Sequence, residues 1–395
     1  MLYKIFVENF FSVADGQELV FKVPGNAPDL SCFKTSFSNS HIRLPAVIGF
    51  FGPNASGKST ILRAVNAAIL FACHSFESEN YNFLFQSYRR KEWLEKPTKI
   101  AIEFDAKLDN NAPSAIFRYE LYIIHVYKDG NFGDKKVTYE ALSYKPEKKF
   151  RTLFERNDQD FYFGTEFGVF KADDPRTQSI RPNASVISTL AKLNHPLSTH
   201  LNQSMSRLQT SFEDNLPIKP WLTLYVEDPS CCDNLNRELQ RLDVGIEAMH
   251  IEQGPQGLFA RFKHMGLDDF IFHGEESMGT QRFVRIFPLL YYVLKTGNIA
   301  IIDELDVHLH PQILPEIFRW FSNAERNPHG AQLIFSAQNP ALLDDLEKEQ
   351  VYFTEKPTGK PSHVYGAHEI KDLRRGPSLM KKYLAGELGA VPHIG

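Results

Sequence analysis

The stretch GPNASGKS at 52–59 restricts what this chain can become more than any other part of it. It matches G-x-x-x-x-G-K-[ST] in full, and each residue type has a physical reason. Gly52 and Gly57 let the backbone wrap closely enough for successive N–H groups to point at phosphate oxygens. Lys58 supplies a positive charge to the β- and γ-phosphates of a nucleoside triphosphate, and Ser59 offers a hydroxyl to Mg²⁺. The flanks supply the context the motif needs. AVIGFF at 46–51 is a short apolar run of buried-strand type, and STILRAVNAAILFA at 59–72 carries apolar residues at helical spacing. A helix opening here adds its N-terminal dipole to the anion site. The predicted nucleotide-binding residues are therefore Gly52, Pro53, Asn54, Ala55, Ser56, Gly57, Lys58, Ser59 and Thr60.

A second feature lies far downstream. IAIIDE at 299–304 is an apolar strand ending in two carboxylates. Opposite a phosphate loop, Asp303 is placed to hold Mg²⁺ and Glu304 to orient or deprotonate the attacking water. Taken alone, a loop or helix-cap carboxylate pair would explain these acids equally well; paired with the loop, the catalytic reading is favoured. The DVHLHP that follows puts Asp306, His308 and His310 at alternate positions, but a metal site needs a supported shell of three or four ligands. A loop without metal is the preferred reading there.

Between and around these motifs the pattern gives an α/β chain. YKIFVENF and LVFKV flank a turn near the start, and 99–108 and 115–128 alternate as strands. The region 130–180 reads as hairpins and loops. From 185 to 242 the spacing is helical, broken at Pro196 and at LPIKPW (216–221), and no heptad run supports a long coiled coil. From Gly279 onward the order is helix, acid-tipped strand, helix, the strand AQLIFS and the strand VYFTEK, which predicts a parallel sheet. The formal net charge of −4 gives no overall basic signature of nucleic-acid binding, and the basic turn Arg89-Arg90-Lys91 is read as solvated, with contact to nucleic acid or a partner as the other possibility. The four cysteines form no CxxC pair, and the apolar runs are far short of a membrane span, so a cytoplasmic protein with no membrane contact is expected.

EESMGTQR at 275–282 completes a recognisable order: phosphate loop, Ser-x-Gly-x-Gln segment, helix, strand ending in Asp-Glu, then Leu305-Asp306. This order resembles the ABC-type ATPase heads of the SMC and RecF group. KIFVENFFSV (4–13), DELDVHLHP (303–311), NPALLD (339–344) and the closing KKYLAGELGAVPHIG narrow the resemblance to the AAA15-type RecF/OLD-like ATPases, a group that includes AbiL-type abortive-infection and PARIS anti-phage ATPase subunits. The likeness covers roughly 1–105 and 270–395, with a weaker echo in LDVGIEAMHIE (242–252).

The resemblance implies a P-loop ABC-type head with a mostly parallel core sheet, an antiparallel β subdomain and a helical insertion near 186–241. Lobe I would span about 1–110 and 296–395, and lobe II about 111–295. Ser277, Gly279 and Gln281 would complete the nucleotide site of an opposite subunit, so that a dimer or larger assembly sandwiches ATP, with Asp306 in the segment that crosses between subunits. Gln86, in NFLFQSYRR, is the candidate for the metal-contacting glutamine of the group. Where the pattern has a switch histidine, this chain has Gln338 in IFSAQNP. Gln can donate a hydrogen bond but cannot titrate, so slow hydrolysis is the expectation.

The function implied is a Mg²⁺-dependent ATPase that gates a separate effector chain, a nuclease or toxin of TOPRIM or RloB-like type, in response to DNA or a phage protein. A RecF-like DNA-maintenance ATPase is the alternative, and a non-hydrolysing nucleotide-dependent scaffold is the third reading.

Overall fold

The computed structural model describes residues 1–37, 40–77, 84–128, 131–168, 174–206, 209–211, 221–242, 245–255 and 257–392; at 126–128, 131–134 and 209–211 it describes the backbone alone. The helix break at 216–220, Asn82 and Phe83 of NFLFQSYRR, Asp243 and Val244 of LDVGIEAMHIE, and the last three residues lie outside the described residues.

Apolar runs without alternation become strands buried on both faces. Val47–Phe51, Ile299–Ile302 and Gln332–Ser336 are each buried at every position. They lie side by side in a six-stranded sheet whose order is Gln209–Ser211, Ile299–Ile302, Gln332–Ser336, Val47–Phe51, Val351–Glu355, His363–Gly366. Every pairing is parallel except the last, a hairpin of Val351–Glu355 with His363–Gly366. The edge strand Gln209–Ser211 falls inside the segment that reads as helical. Three polar residues carry no strand signal of their own, and the backbone pairing is what recruits them.

Because successive side chains alternate across a strand, each core strand feeds two separate cores. Ile48, Phe50, Ile299, Ile301, Ile334 and Tyr352 belong to one apolar cluster. Val47, Phe51, Ala300, Ile302, Leu333 and Phe335 belong to the other. The first is closed by the helix Lys58–His74 and by a seven-stranded antiparallel sheet. That sheet runs Asp160–Phe163, Arg151–Asn157, Asn131–Lys145, Ala115–Lys128, Thr98–Ala106, Leu2–Glu8, Gln17–Val20. The second core is closed by Pro229–Leu242, Met278–Thr296 and Ile313–Ser322. A three-stranded antiparallel sheet, Ile246–Gly254, Gly257–His264 and Phe270–Phe272, precedes the helix Met278–Thr296. Apart from the LDVGIEAMHIE echo, sequence reasoning assigned nothing to this last sheet.

Register then decides where chemistry can sit. Ile302 is opposite Phe335, and Ser336 is opposite Phe50. The three central strands therefore end level, and the residues after them (Asp303, Ala337 and Gly52) emerge at one edge. The carboxyl edge of a parallel sheet is where α/β proteins assemble sites. No helix among the described residues is long and apolar enough to cross a membrane.

Candidate functional site

The phosphate loop leaves the sheet at Gly52, whose φ of 150° and surroundings leave no space for a side chain. A Cβ there would lie 2.2 Å from the Thr354 carbonyl oxygen, a backbone atom that cannot swing away. Ser56 Oγ is 2.6 Å from Thr354 Oγ1, so the neighbouring strand clamps the loop from behind. Gly57, at φ 115°, caps the helix Lys58–His74, and its carbonyl accepts from Thr60 and Ile61 N–H. Lys58 bends back across the loop and donates to the Gly52 and Pro53 carbonyls at 2.7 and 3.0 Å. Burial lowers its pKa; the charges of Glu304, then Asp303 and Asp306, act in the opposite sense.

The acid-tipped strand is fixed by its neighbour. Ser336 Oγ donates to Asp303 Oδ1 at 2.5 Å and accepts from Glu304 N–H at 2.8 Å. Glu304 has φ 50°, a left-handed conformation uncommon for a residue with a side chain. Asp306 accepts the Gln338 and Asn339 N–H groups at 2.9 and 2.8 Å. Gln338 Nε2 in turn donates to Glu304 Oε1 at 3.1 Å. Asp303 and Glu304, marked by the acid-tipped strand, thus form one bonded group, through Ser336, with Asp306 and Gln338, which the resemblance implies.

A cavity of about 790 Å³ opens here, lined by Asn54 to Thr60, Glu304 and Gln86. Gln86 is carried in by Asn9, a buried residue whose side chain accepts from Tyr88 N–H and donates to the Trp93 and Lys96 carbonyls. Phe11 N–H closes the link on the Gln86 carbonyl at 2.8 Å. Phe11, Ser12, Arg89, Arg90, Lys356 and Lys360 also line the cavity. Arg89 and Arg90, read from sequence as a solvated turn, are exposed yet border the phosphate loop, and Arg90 donates to the Gly359 carbonyl. Lys91 instead opens the short helix Lys91–Leu94.

The Ser-x-Gly-x-Gln segment lies elsewhere. Ser277 caps the helix Met278–Thr296 by accepting from Thr280 N–H at 3.1 Å. A Cβ on Gly279 would come within 2.9 Å of the His308 carbonyl oxygen, which ties this helix start to the loop after the acids. Gln281 donates to the Glu276 carbonyl, and Met278 is 60% exposed. Ser277, Gly279 and Gln281 do not line the cavity. Among the described residues, no group of three or more His, Cys, Asp or Glu could hold a metal ion by itself.

Ser336, Thr354, Lys356 and Lys360 were missed by sequence reasoning. Ser336 is the last residue of the strand that ends in IFSAQNP, so a polar residue closing a buried strand was a usable signal. Thr354 has none, because it meets the loop from 298 residues away.

A family model described as "AAA domain, putative AbiEii toxin, Type IV TA system" matches residues 47–344. No curated protein matches the chain. Among solved structures, an SMC head bound to the C-winged helix domain of ScpA is similar at 13% identity and TM-score 0.47, covering 93% of this chain and 99% of that one. The SMC head domain from Thermotoga maritima is similar at 14% identity and TM-score 0.41, covering 92% and 98%.

Proposed function

This chain belongs to that AAA-domain family, and on that premise we propose that it is an ABC-type ATPase head that binds and hydrolyses ATP in an assembly of two or more copies whose closure gates a separate effector protein. One observation carries the reading: Lys58 and Glu304 face one cavity with the phosphate loop, and Gln338 is bonded to that same Glu304.

The residues present fit a triphosphate and Mg²⁺. Backbone N–H groups at the start of the helix Lys58–His74 and the Lys58 ammonium meet phosphate oxygens, and Arg89, Arg90, Lys356 and Lys360 add positive charge at the walls. Mg²⁺ favours hard oxygen donors and few protein ligands, which suits Ser59 Oγ and Asp303. Held by these two residues, the ion would supply positive charge that offsets the negative charge developing on the phosphate. Glu304 orients the attacking water and accepts its proton, and the Gln338 amide holds Glu304 in place while offering a donor.

Ser277, Gly279 and Gln281 stand at an exposed helix start away from this cavity, which supports their use by the phosphate loop of a second copy. The effector would be a nuclease or toxin acting in anti-phage defence, and the trigger DNA or a phage protein. This part of the reading rests on the motif resemblance.

Glu304→Gln tests the proposal. Turnover should fall by about 10²-fold or more while ATP binding persists, since general-base catalysis contributes on that scale. The ATP-bound dimer should accumulate and be visible by light scattering. Wild-type turnover no greater than that of the variant would favour the non-hydrolysing scaffold and refute hydrolysis.

A further inference from the structure

A second cavity, of about 470 Å³, lies between the helices Pro229–Leu242 and Met278–Thr296. We propose that it is a docking site for an acidic peptide segment of a partner protein, anchored by one aromatic side chain. This proposal concerns a surface separate from the nucleotide cavity and does not depend on ATP hydrolysis.

The floor is aromatic. Phe287 and Tyr291 stack with ring centroids 6.3 Å apart, and Trp320 meets Phe287 edge-on at 6.1 Å. Phe287 and Trp320 are each 4% exposed, so the half-buried Tyr291 is the ring that an aromatic side chain of the occupant meets, and such contacts add about 0.5–1.5 kcal/mol beyond area burial.

The rim is cationic. Arg237 and Arg241 come from one helix, Lys295 from the other, and Arg326 lies with its guanidinium 5.4 Å from the Trp320 ring centroid. Among the described residues Glu238 is the one carboxylate lining the cavity, and it is shared by Arg241 and Arg326. Lys295 pairs with Asp228, and Arg241 also with Glu316. Arg237 has no carboxylate partner among the described residues; its Nε reaches the Asp233 carbonyl at 3.4 Å. An apolar floor beneath a rim with an unpaired arginine selects an apolar anchor flanked by acids, the pattern in which rim charge gives specificity and a buried aromatic gives affinity.

The location gives such docking a route to the nucleotide site. The helix that supplies Phe287 and Tyr291 begins at Ser277 and Gly279, and the helix that supplies Trp320 lies between the acid-tipped strand and Ser336.

The test uses full-length protein and fluorescein-labelled DDEWDDE peptide in a polarisation titration. DDEWDDE should bind, with DDEADDE and SSNWSSN each at least about tenfold weaker, about 1.4 kcal/mol. Arg237→Glu, at an exposed position, should weaken DDEWDDE by at least about tenfold without shifting the melting temperature. Tyr291→Leu, which removes the half-buried ring of the floor, should weaken it severalfold. Equal binding of the three peptides, or no effect of Arg237→Glu, overturns the proposal. So does self-association that Arg237→Glu abolishes without any peptide binding, which would make the face an interface between copies. ATP binding measured on the same samples keeps this outcome separate from the fate of the ATPase reading.

Discussion

Two buried lysines, Lys58 in the phosphate loop and Lys135 in the antiparallel sheet, share nearly the same local burial and differ in the charges around them. Lys58 is 6% exposed and Lys135 8%. Each donates to backbone carbonyls, Lys58 to Gly52 and Pro53 and Lys135 to Phe85. Burial lowers the pKa of both. The difference is the surrounding charge. Three carboxylates, on Glu304, Asp303 and Asp306, support the Lys58 cation, whereas burial alone sets Lys135, whose pKa falls to about 8. Burying a lysine is therefore not what marks a site. An opposing set of acids, brought from the far end of the chain to the same sheet edge, is what distinguishes one of the two.

Replacing each lysine by methionine should separate them most sharply. Lys58→Met removes the charge aimed at the phosphates, and ATP turnover should fall by about 10²–10³-fold, the scale of losing one transition-state electrostatic contact. Lys135→Met should leave turnover within about twofold. Steady-state phosphate release on both variants decides it. Comparable losses in the two would mean that Lys58 contributes to the fold rather than to phosphate binding.

The same contrast explains what could be read from the sequence. Lys58 was legible because the phosphate loop is local, with its residues contiguous and a strand and a helix flanking them. Asp303 and Glu304 were legible because an apolar run ends abruptly in acids. The parallel sheet followed from the same runs, since strands buried on both faces need no alternation. Lys135 was invisible, because nothing near it in sequence predicts that it will be buried against Phe85. The polar edge strand Gln209–Ser211 was lost to the surrounding helical spacing, and Thr354 to its distance from the loop it clamps. Gln338 falls between these cases. Its position came from the family resemblance, but its bond to Glu304 and the grip of Asp306 on its backbone depend on strand register.

Gln338→His sharpens the comparison from the acidic side. Gln338 is exposed and its amide shares a hydrogen bond with Glu304. A histidine in its place adds a group that titrates near neutral pH, which glutamine lacks. Turnover should rise severalfold, and the rate should acquire a pH dependence near the ordinary histidine range. A pH–rate profile of variant against wild type reads both effects. No gain in turnover would sink the idea that glutamine slows the proposed hydrolysis.

The smallest effect concerns Lys135 itself and is one of stability. Its folded pKa of about 8 lies below the ordinary lysine value of 10.5. Below pH 8 both folded and unfolded chains hold the proton, and the penalty of the buried charge is constant and at its largest. Between pH 8 and 10.5 the unfolded chain still holds a proton that the folded chain has released, so this group makes stability rise with pH. Lys135→Met abolishes that rise. The stability of wild type minus that of the variant should climb between pH 8 and 10, with a slope of at most about 1.4 kcal/mol per pH unit. Taking the difference cancels the tyrosines that titrate above this window, and the carbonyl of Phe85, which loses a donor in the variant, contributes only a pH-independent offset. His125 gives an internal check on the same substitution. Its pKa is lowered to about 4 by burial first and by the Lys135 charge second, so removing the charge should move it upward while burial still holds it below the ordinary value. Urea titrations at several pH values supply the slope, and NMR of the histidine ring supplies the check. A flat difference across pH 8–10 would place the Lys135 ammonium in a solvated position and remove the burial on which its contrast with Lys58 rests.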